Sequence, residues 1–159
     1  MRRPAVGSAL FFLVAPGVVA GLVPWLLTHW ESGSAPASLR VLGASLIALG
    51  LPVLVHAFVR FVTEGRGTPA PVAPTSRLVV GGLYRRVRNP MYVVVGAVIA
   101  GQALLLGRPV LGVYLAAFCA VVAAFVHGYE EPVLRARFGE EYEEYRRSVP
   151  AWRPRLRPW

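Results

Sequence analysis

The chain has 159 residues, 55% of them hydrophobic, and its mean hydropathy of +0.53 is too high for an ordinary soluble domain while its length excludes several domains. The formal net charge of +9 comes from 17 arginines against 8 glutamates, with no lysine and no aspartate, and these arginines flank apolar runs instead of forming a stripe on a polar domain. That pattern argues for positive-inside topology and against nucleic-acid binding. Cys119, the single cysteine, lies in an apolar run and reads as small core filler, so no intramolecular disulfide and no cysteine metal cluster is available.

The expected architecture is an all-α integral membrane domain over residues 1–159, with four transmembrane helices, a helical hairpin and an amphipathic tail helix. A first span fits 5–30; Met1-Arg2-Arg3 has the outline of a signal peptide, but the apolar stretch continues to Trp30 without a clear cleavage pattern and reads as a retained helix. Pro16 and Pro24 are expected to kink it, and Gly17 and Gly21 form a small-xxx-small pair. A second span, 39–61, is capped by Arg40 and Arg60 and carries His56, read as a packed, hydrogen-bonded histidine.

Residues 63–89 form a long loop, broken by Gly65, Gly67, Pro69, Pro71 and Pro74 and anchored by Leu78, Val79, Val80, Leu83 and Tyr84. The third and fourth spans, 91–106 and 109–127, are joined only by Gly107-Arg108-Pro109, which implies an antiparallel hairpin; Ala97 and Gly101 are expected to pack against Ala116, Ala120 and Ala123 or Ala124. The tail, 128–159, reads as a helix from Pro132 with Leu134, Phe138, Tyr142 and Tyr145 on one face and Glu140, Glu141, Glu143, Glu144, Arg146 and Arg147 on a solvated one. Trp152 and Trp159 among Arg153, Arg155 and Arg157 suit a membrane interface. With both termini on one side, that side receives every arginine but Arg40 and Arg108, which places the termini, long loop and tail in the cytoplasm, with the protein in a bacterial plasma membrane.

The hairpin returns Glu130-Glu131 to the level of Arg85, Arg86 and Arg88, so two distant segments face one another. Arginine offers a planar fork for a carboxylate or phosphate, glutamate accepts from hydroxyls or an ammonium, and tyrosine adds an aromatic face with a hydroxyl. These groups suit a zwitterionic nucleoside cofactor or a phosphate-bearing one equally. The chain has no glycine-rich dinucleotide fingerprint, no phosphate-binding loop, no histidine pair at metal spacing and no Ser/His/Asp set, which disfavours a soluble Rossmann enzyme and implies no metal.

Gly65-Arg66-Gly67-Thr68-Pro69-Ala70-Pro71, the run from Leu78 through Gly82-Leu83-Tyr84-Arg85-Arg86-Val87-Arg88-Asn89-Pro90-Met91-Tyr92, and the tail Glu130-Glu131-Pro132 with Phe138-Gly139, Tyr142, Tyr145 and Val149-Pro150 strongly resemble the isoprenylcysteine carboxyl methyltransferase and phospholipid methyltransferase superfamily. The resemblance covers roughly the last hundred residues in order. It implies an integral membrane enzyme using S-adenosylmethionine, with Tyr84, Arg88, Asn89, Pro90 and Tyr92 on one side of the cofactor, Glu130 and Glu131 on the other, and Arg88, Glu130 and Glu131 carrying catalysis. Many relatives have histidine where this chain has Asn89, and an arginine is often expected where Ala151 stands.

Methyl transfer from a sulfonium needs alignment, water exclusion and, for some acceptors, a base. The expected substrate is a lipophilic small molecule or lipid that enters sideways from the bilayer. A carboxylate acceptor needs no base; an amine or thiol would call on Glu130, Glu131 or Tyr92. The acceptor and the oligomeric state stay open. The competing readings are an NADPH-dependent membrane reductase of the sterol-reductase type and a non-catalytic membrane scaffold or lipid-binding protein.

Overall fold

The computed structural model describes residues 14–65 and 76–159, and these are helical throughout their regular structure, with no strand. Residues 5–13 of the expected first span and the Arg66 to Pro71 part of the family-like motif lie outside the described residues.

Helix α1, Val14–Thr28, is interrupted by a π-turn at Val18–Leu22. Pro24 explains the interruption. A proline lacks the N–H that would bond the carbonyl four residues back and its ring crowds that carbonyl, which here belongs to Ala20. Two side chains from other helices satisfy the released oxygens: Gln102 Nε2 donates to the Ala20 carbonyl at 2.7 Å and Tyr114 Oη donates to the Val19 carbonyl at 2.7 Å. In an apolar environment such replacement is obligatory.

Helix α2, Ala37–Gly65, is the longest uninterrupted helix among the described residues. Arg40 ties its start to the preceding turn through the Gly33 carbonyl at 2.9 Å. Helix α3, Pro90–Leu106, begins with proline at its first position and ends at Gly107 (φ 61°), which supplies the left-handed cap that closes the hairpin turn. Helix α4, Pro109–Phe125, starts with proline too. It does not stop near residue 127. A π-turn at Val126–Glu130 carries it directly into α5, Glu131–Ser148, so the tail helix is a continuation and not a separate element starting at Pro132. Both π-turns end two residues before a proline, Pro24 and Pro132. Gly139 (φ 51°, ψ −125°) then breaks α5.

Among the described residues two helices are long and apolar enough to cross a membrane, α2 and the continuous Pro109–Ser148 helix; α1 and α3 are shorter apolar helices. At 1.5 Å per residue, 17-residue α3 is about 25 Å long, somewhat short of a bilayer core of about 30 Å.

Packing differs from the expected hairpin face. Gly101 abuts α2: a Cβ on it would lie 2.8 Å from the Gly43 carbonyl oxygen, and a Cβ on Gly43 would lie 2.5 Å from that of Gly101. The two backbones therefore cross in contact, while Ala116, Ala120 and Ala124 on α4 are exposed. The apolar core lies below this crossing, around Leu54, Val95 and Ile99, with Leu115 and Phe118 of α4 closing it. Cys119 on α4 is exposed and fills no core, and His56 on α2 is exposed too, with its ring beside Gly82 and not in the bundle centre.

At one end of the bundle the 28–37 turn meets the hairpin: Gly33 N–H donates to the Leu106 carbonyl at 2.6 Å and Arg108 pairs with Glu31 at 2.8 Å. At the other, a second cluster forms from Tyr142, Tyr145 and Val149, covered by Leu78, Val80, Leu134 and Phe138. The apolar face expected of the tail thus rests on the loop before α3.

Candidate functional site

The loop before α3 is held from three directions. Glu64, at the end of α2, accepts from Gly81 N–H at 2.9 Å, so a glutamate closing an apolar run has a backbone partner. A 3-10 turn, Gly82–Arg85, then turns Tyr84 inward, where its ring lies 6.2 Å from that of Phe61 and its carbonyl accepts from Tyr145 Oη at 2.7 Å. Finally Arg88 N–H donates to the Pro150 carbonyl at 2.9 Å and Asn89 Nδ2 to the Ala151 carbonyl at 3.2 Å.

With its backbone fixed, Arg88 aims Nη1 at two acceptors from α5: Glu131 Oε1 at 2.7 Å and Tyr142 Oη at 3.1 Å. The other oxygen of Glu131 lies 3.6 Å from His127 Nδ1 and 3.9 Å from Arg135 Nη2. Glu130 Oε2 accepts from Tyr92 Oη at 3.3 Å. The π-turn ends at Glu130, and the two adjacent carboxylates bond groups at or just before the start of α3, Glu130 with Tyr92 and Glu131 with Arg88. Such turns recur at functional sites.

Between these groups is a cavity of about 80 Å³ whose lining includes Phe61, Tyr84, Arg88, Glu130, Glu131 and Leu134. Two donors in its wall are buried without a hydrogen-bond partner, Tyr84 Oη and Arg88 Nε. Burial, with the nearby charges of Tyr145, Glu130, Tyr92 and Glu64 adding to it, pushes the Tyr84 phenol well above its ordinary value, so it stays a protonated donor. Two unsatisfied donors opposite two carboxylates form a surface for a ligand bearing both an anionic and a cationic or hydroxylic group.

Of the residues expected at a site, Tyr84, Arg88, Asn89, Glu130 and Glu131 line this cavity. Pro90 and Tyr92 are not among its lining residues: Pro90 starts α3 and Tyr92 reaches the site through Glu130. Arg85 and Arg86 turn outward and bond the C-terminal segment, Arg86 Nη1 reaching the Leu156 carbonyl at 3.0 Å. Phe61 and Leu134 are further walls that the sequence does not single out, and Tyr142 is expected chiefly as a packing residue on the apolar face of the tail helix. Tyr142 is buried, but its hydroxyl also holds Arg88. The three-residue spacing of Tyr142 and Tyr145 was a usable signal, since it puts both phenols on one face of the helix segment after Gly139.

No curated protein and no solved structure matches the chain. The phospholipid methyltransferase family model matches residues 39–141, from the start of α2 to within α5, and so takes in the loop, the hairpin and both acidic residues of the site. Members of that family are membrane methyltransferases that use S-adenosylmethionine. With most of its length matched, the chain belongs to the phospholipid methyltransferase family, within the wider superfamily that includes the isoprenylcysteine carboxyl methyltransferases.

Proposed function

We propose that the protein transfers a methyl group from S-adenosylmethionine to a lipophilic acceptor at the cytoplasmic face of the membrane. The observation that carries the reading is the pair of unpartnered buried donors, Tyr84 Oη and Arg88 Nε, set opposite Glu130 and Glu131 where apolar helices end. The bound cofactor would supply a methyl already activated on a positively charged sulfur.

Arg88 and Tyr84 are suited to hold a carboxylate, and Glu130 or Glu131 an ammonium or ribose hydroxyls, while Asn89 keeps the loop closed against Ala151. The cavity volume of about 80 Å³ is small beside the roughly 300–1,000 Å³ typical of ligand pockets. Binding therefore requires side chains to move, and the Arg88–Glu131 contact is the one expected to open. Glu130, with Tyr92 on one oxygen, or Glu131 once Arg88 has moved, would serve as the base for an amine or thiol; a carboxylate acceptor would need none.

In this reading α1 and α3 also cross the bilayer, giving four spans with both termini in the cytoplasm of a bacterial cell, and the acceptor reaches the site laterally between helices. Calorimetry of the detergent-purified protein with S-adenosylmethionine and with NADPH tests it, with Glu130→Ala as control. Saturable binding of S-adenosylmethionine that the variant loses is the expected result. Binding of NADPH alone would replace the proposal with a reductase, and binding of neither by a folded sample would replace it with a scaffold.

A further inference from the structure

The segment after α5 is more than a tail. Its backbone runs along the loop that carries the site: besides the Pro150 and Ala151 contacts to Arg88 and Asn89, Arg155 N–H donates to the Arg86 carbonyl and Trp159 N–H to the Arg85 carbonyl, each at 2.9 Å. The Trp159 ring lies 5.6 Å from that of Tyr145, whose hydroxyl fixes Tyr84. These contacts fall on residues 84–89 or their supports, immediately before α3 enters its apolar run.

The outer side of this strap has a different character. Arg153 and Arg157 are exposed and form no hydrogen bond or ion pair among the described residues. Leu156 between them is 93% exposed and Trp159 is 37% exposed. A bare leucine is unremarkable by itself. Set between two free guanidiniums, beside an indole and level with the start of an apolar helix, it has the composition that inserts among acidic headgroups, with leucine and tryptophan in the acyl boundary and arginines on phosphate.

We propose that residues 151–159 dock on anionic lipid at the bilayer surface and that this docking holds Arg88 and Asn89 in the geometry that binds cofactor. Lipid charge would thereby set the competence of the site. The identity of the cofactor rests on the methyltransferase reading; the lipid docking does not.

The test uses the whole protein in nanodiscs of phosphatidylcholine alone or mixed with phosphatidylglycerol, for the natural sequence and for Arg153→Gln/Arg157→Gln. Hydrogen exchange at the Arg88, Arg155 and Trp159 amides is read first. We expect exchange to slow in the anionic discs by about fivefold for each arginine engaged, to return toward the neutral-disc rate in the variant, and to lose its lipid dependence at high salt. Equal exchange in both discs, or an anionic effect that survives in the variant, overturns the docking.

S-adenosylmethionine affinity is measured in the same discs. Tighter binding in anionic discs, lost in the variant, is expected; protection of the strap with unchanged affinity overturns its coupling to the site. Absence of cofactor binding in every disc would instead sink the methyltransferase reading, with the exchange data still deciding the docking.

Discussion

Arg88 and Glu131, 43 residues apart, meet at 2.7 Å with side chains only 11% and 8% exposed. Between them lie the 17-residue helices α3 and α4, the short turn that joins them and the five-residue π-turn after α4, so the return path of the hairpin carries Glu131 back to the start of α3. At that burial the pair's net value is small, because desolvating two charges offsets their attraction, but a single survivor is expensive.

Glu131→Leu is therefore expected to destabilise the fold by about 3–5 kcal/mol by stranding the guanidinium, with Tyr142 as its remaining acceptor. Arg88→Met together with Glu131→Leu is expected to recover most of that loss and to bind no cofactor. Denaturant unfolding in mixed micelles measures the first effect and calorimetry the second; a double variant as unstable as Glu131→Leu alone would show that the pair itself stabilises the fold.

The helices are legible because each apolar run is bounded by charge or by proline, and the meeting of Arg88 with Glu131 follows from the tight Gly107-Arg108-Pro109 turn, which folds two apolar runs of similar length against one another. What the sequence concealed has physical causes. Small residues occur on more than one face of α3, so nothing in the pattern assigned Gly101 to α2 over α4. Pro132 resembles a helix start, whereas a π-turn lets a helix pass through such a proline, and this hid the continuity of α4 and α5. The strap is not legible because every acceptor in its attachments to the loop is a backbone carbonyl, which leaves no side-chain signature.

Tyr84 keeps its hydroxyl buried without a partner, a cost that the ligand-free protein bears. Tyr84→Phe is expected to leave stability at neutral pH unchanged or raise it by up to about 1 kcal/mol, while weakening cofactor binding by roughly tenfold. Its alkaline behaviour should also change. The folded-state value is raised, so the neutral phenol's stabilising contribution is complete below the unfolded value near 10 and is lost as pH rises above it, when the unfolded chain releases the proton more readily. Thermal unfolding followed from pH 8 to about 11 should show a shallower decline for Tyr84→Phe; identical slopes would mean that Tyr84 ionises without penalty.

The Gly43–Gly101 crossing leaves no space for a methyl group on either side. Gly101→Val is expected to separate α2 from α3 and cost about 3 kcal/mol or more, since the obstacle is backbone and has no rotamer to yield. Gly112, in α4 with nothing within 4 Å of an added Cβ, is the control, and Gly112→Ala should be neutral or stabilising by up to about 1 kcal/mol. Comparable losses from the two substitutions in thermal aggregation assays would argue against the crossing.

Gln102 is the most deeply placed test of how the bundle tolerates a broken helix. Its amide nitrogen serves the Ala20 carbonyl that Pro24 leaves without a donor, and its own oxygen is buried without a partner. Gln102→Leu removes the donor and is expected to cost about 1–3 kcal/mol, the penalty of an unsatisfied carbonyl in apolar surroundings. In the Pro24→Ala background the restored N–H can bond Ala20 within α1, so the same substitution should cost much less and, by removing the stranded amide oxygen, can be neutral. A double-mutant cycle reads the difference directly: coupling of about 1 kcal/mol or more is expected, and additive effects would mean that Gln102 stabilises the bundle by packing and not by replacing the proline's missing hydrogen bond.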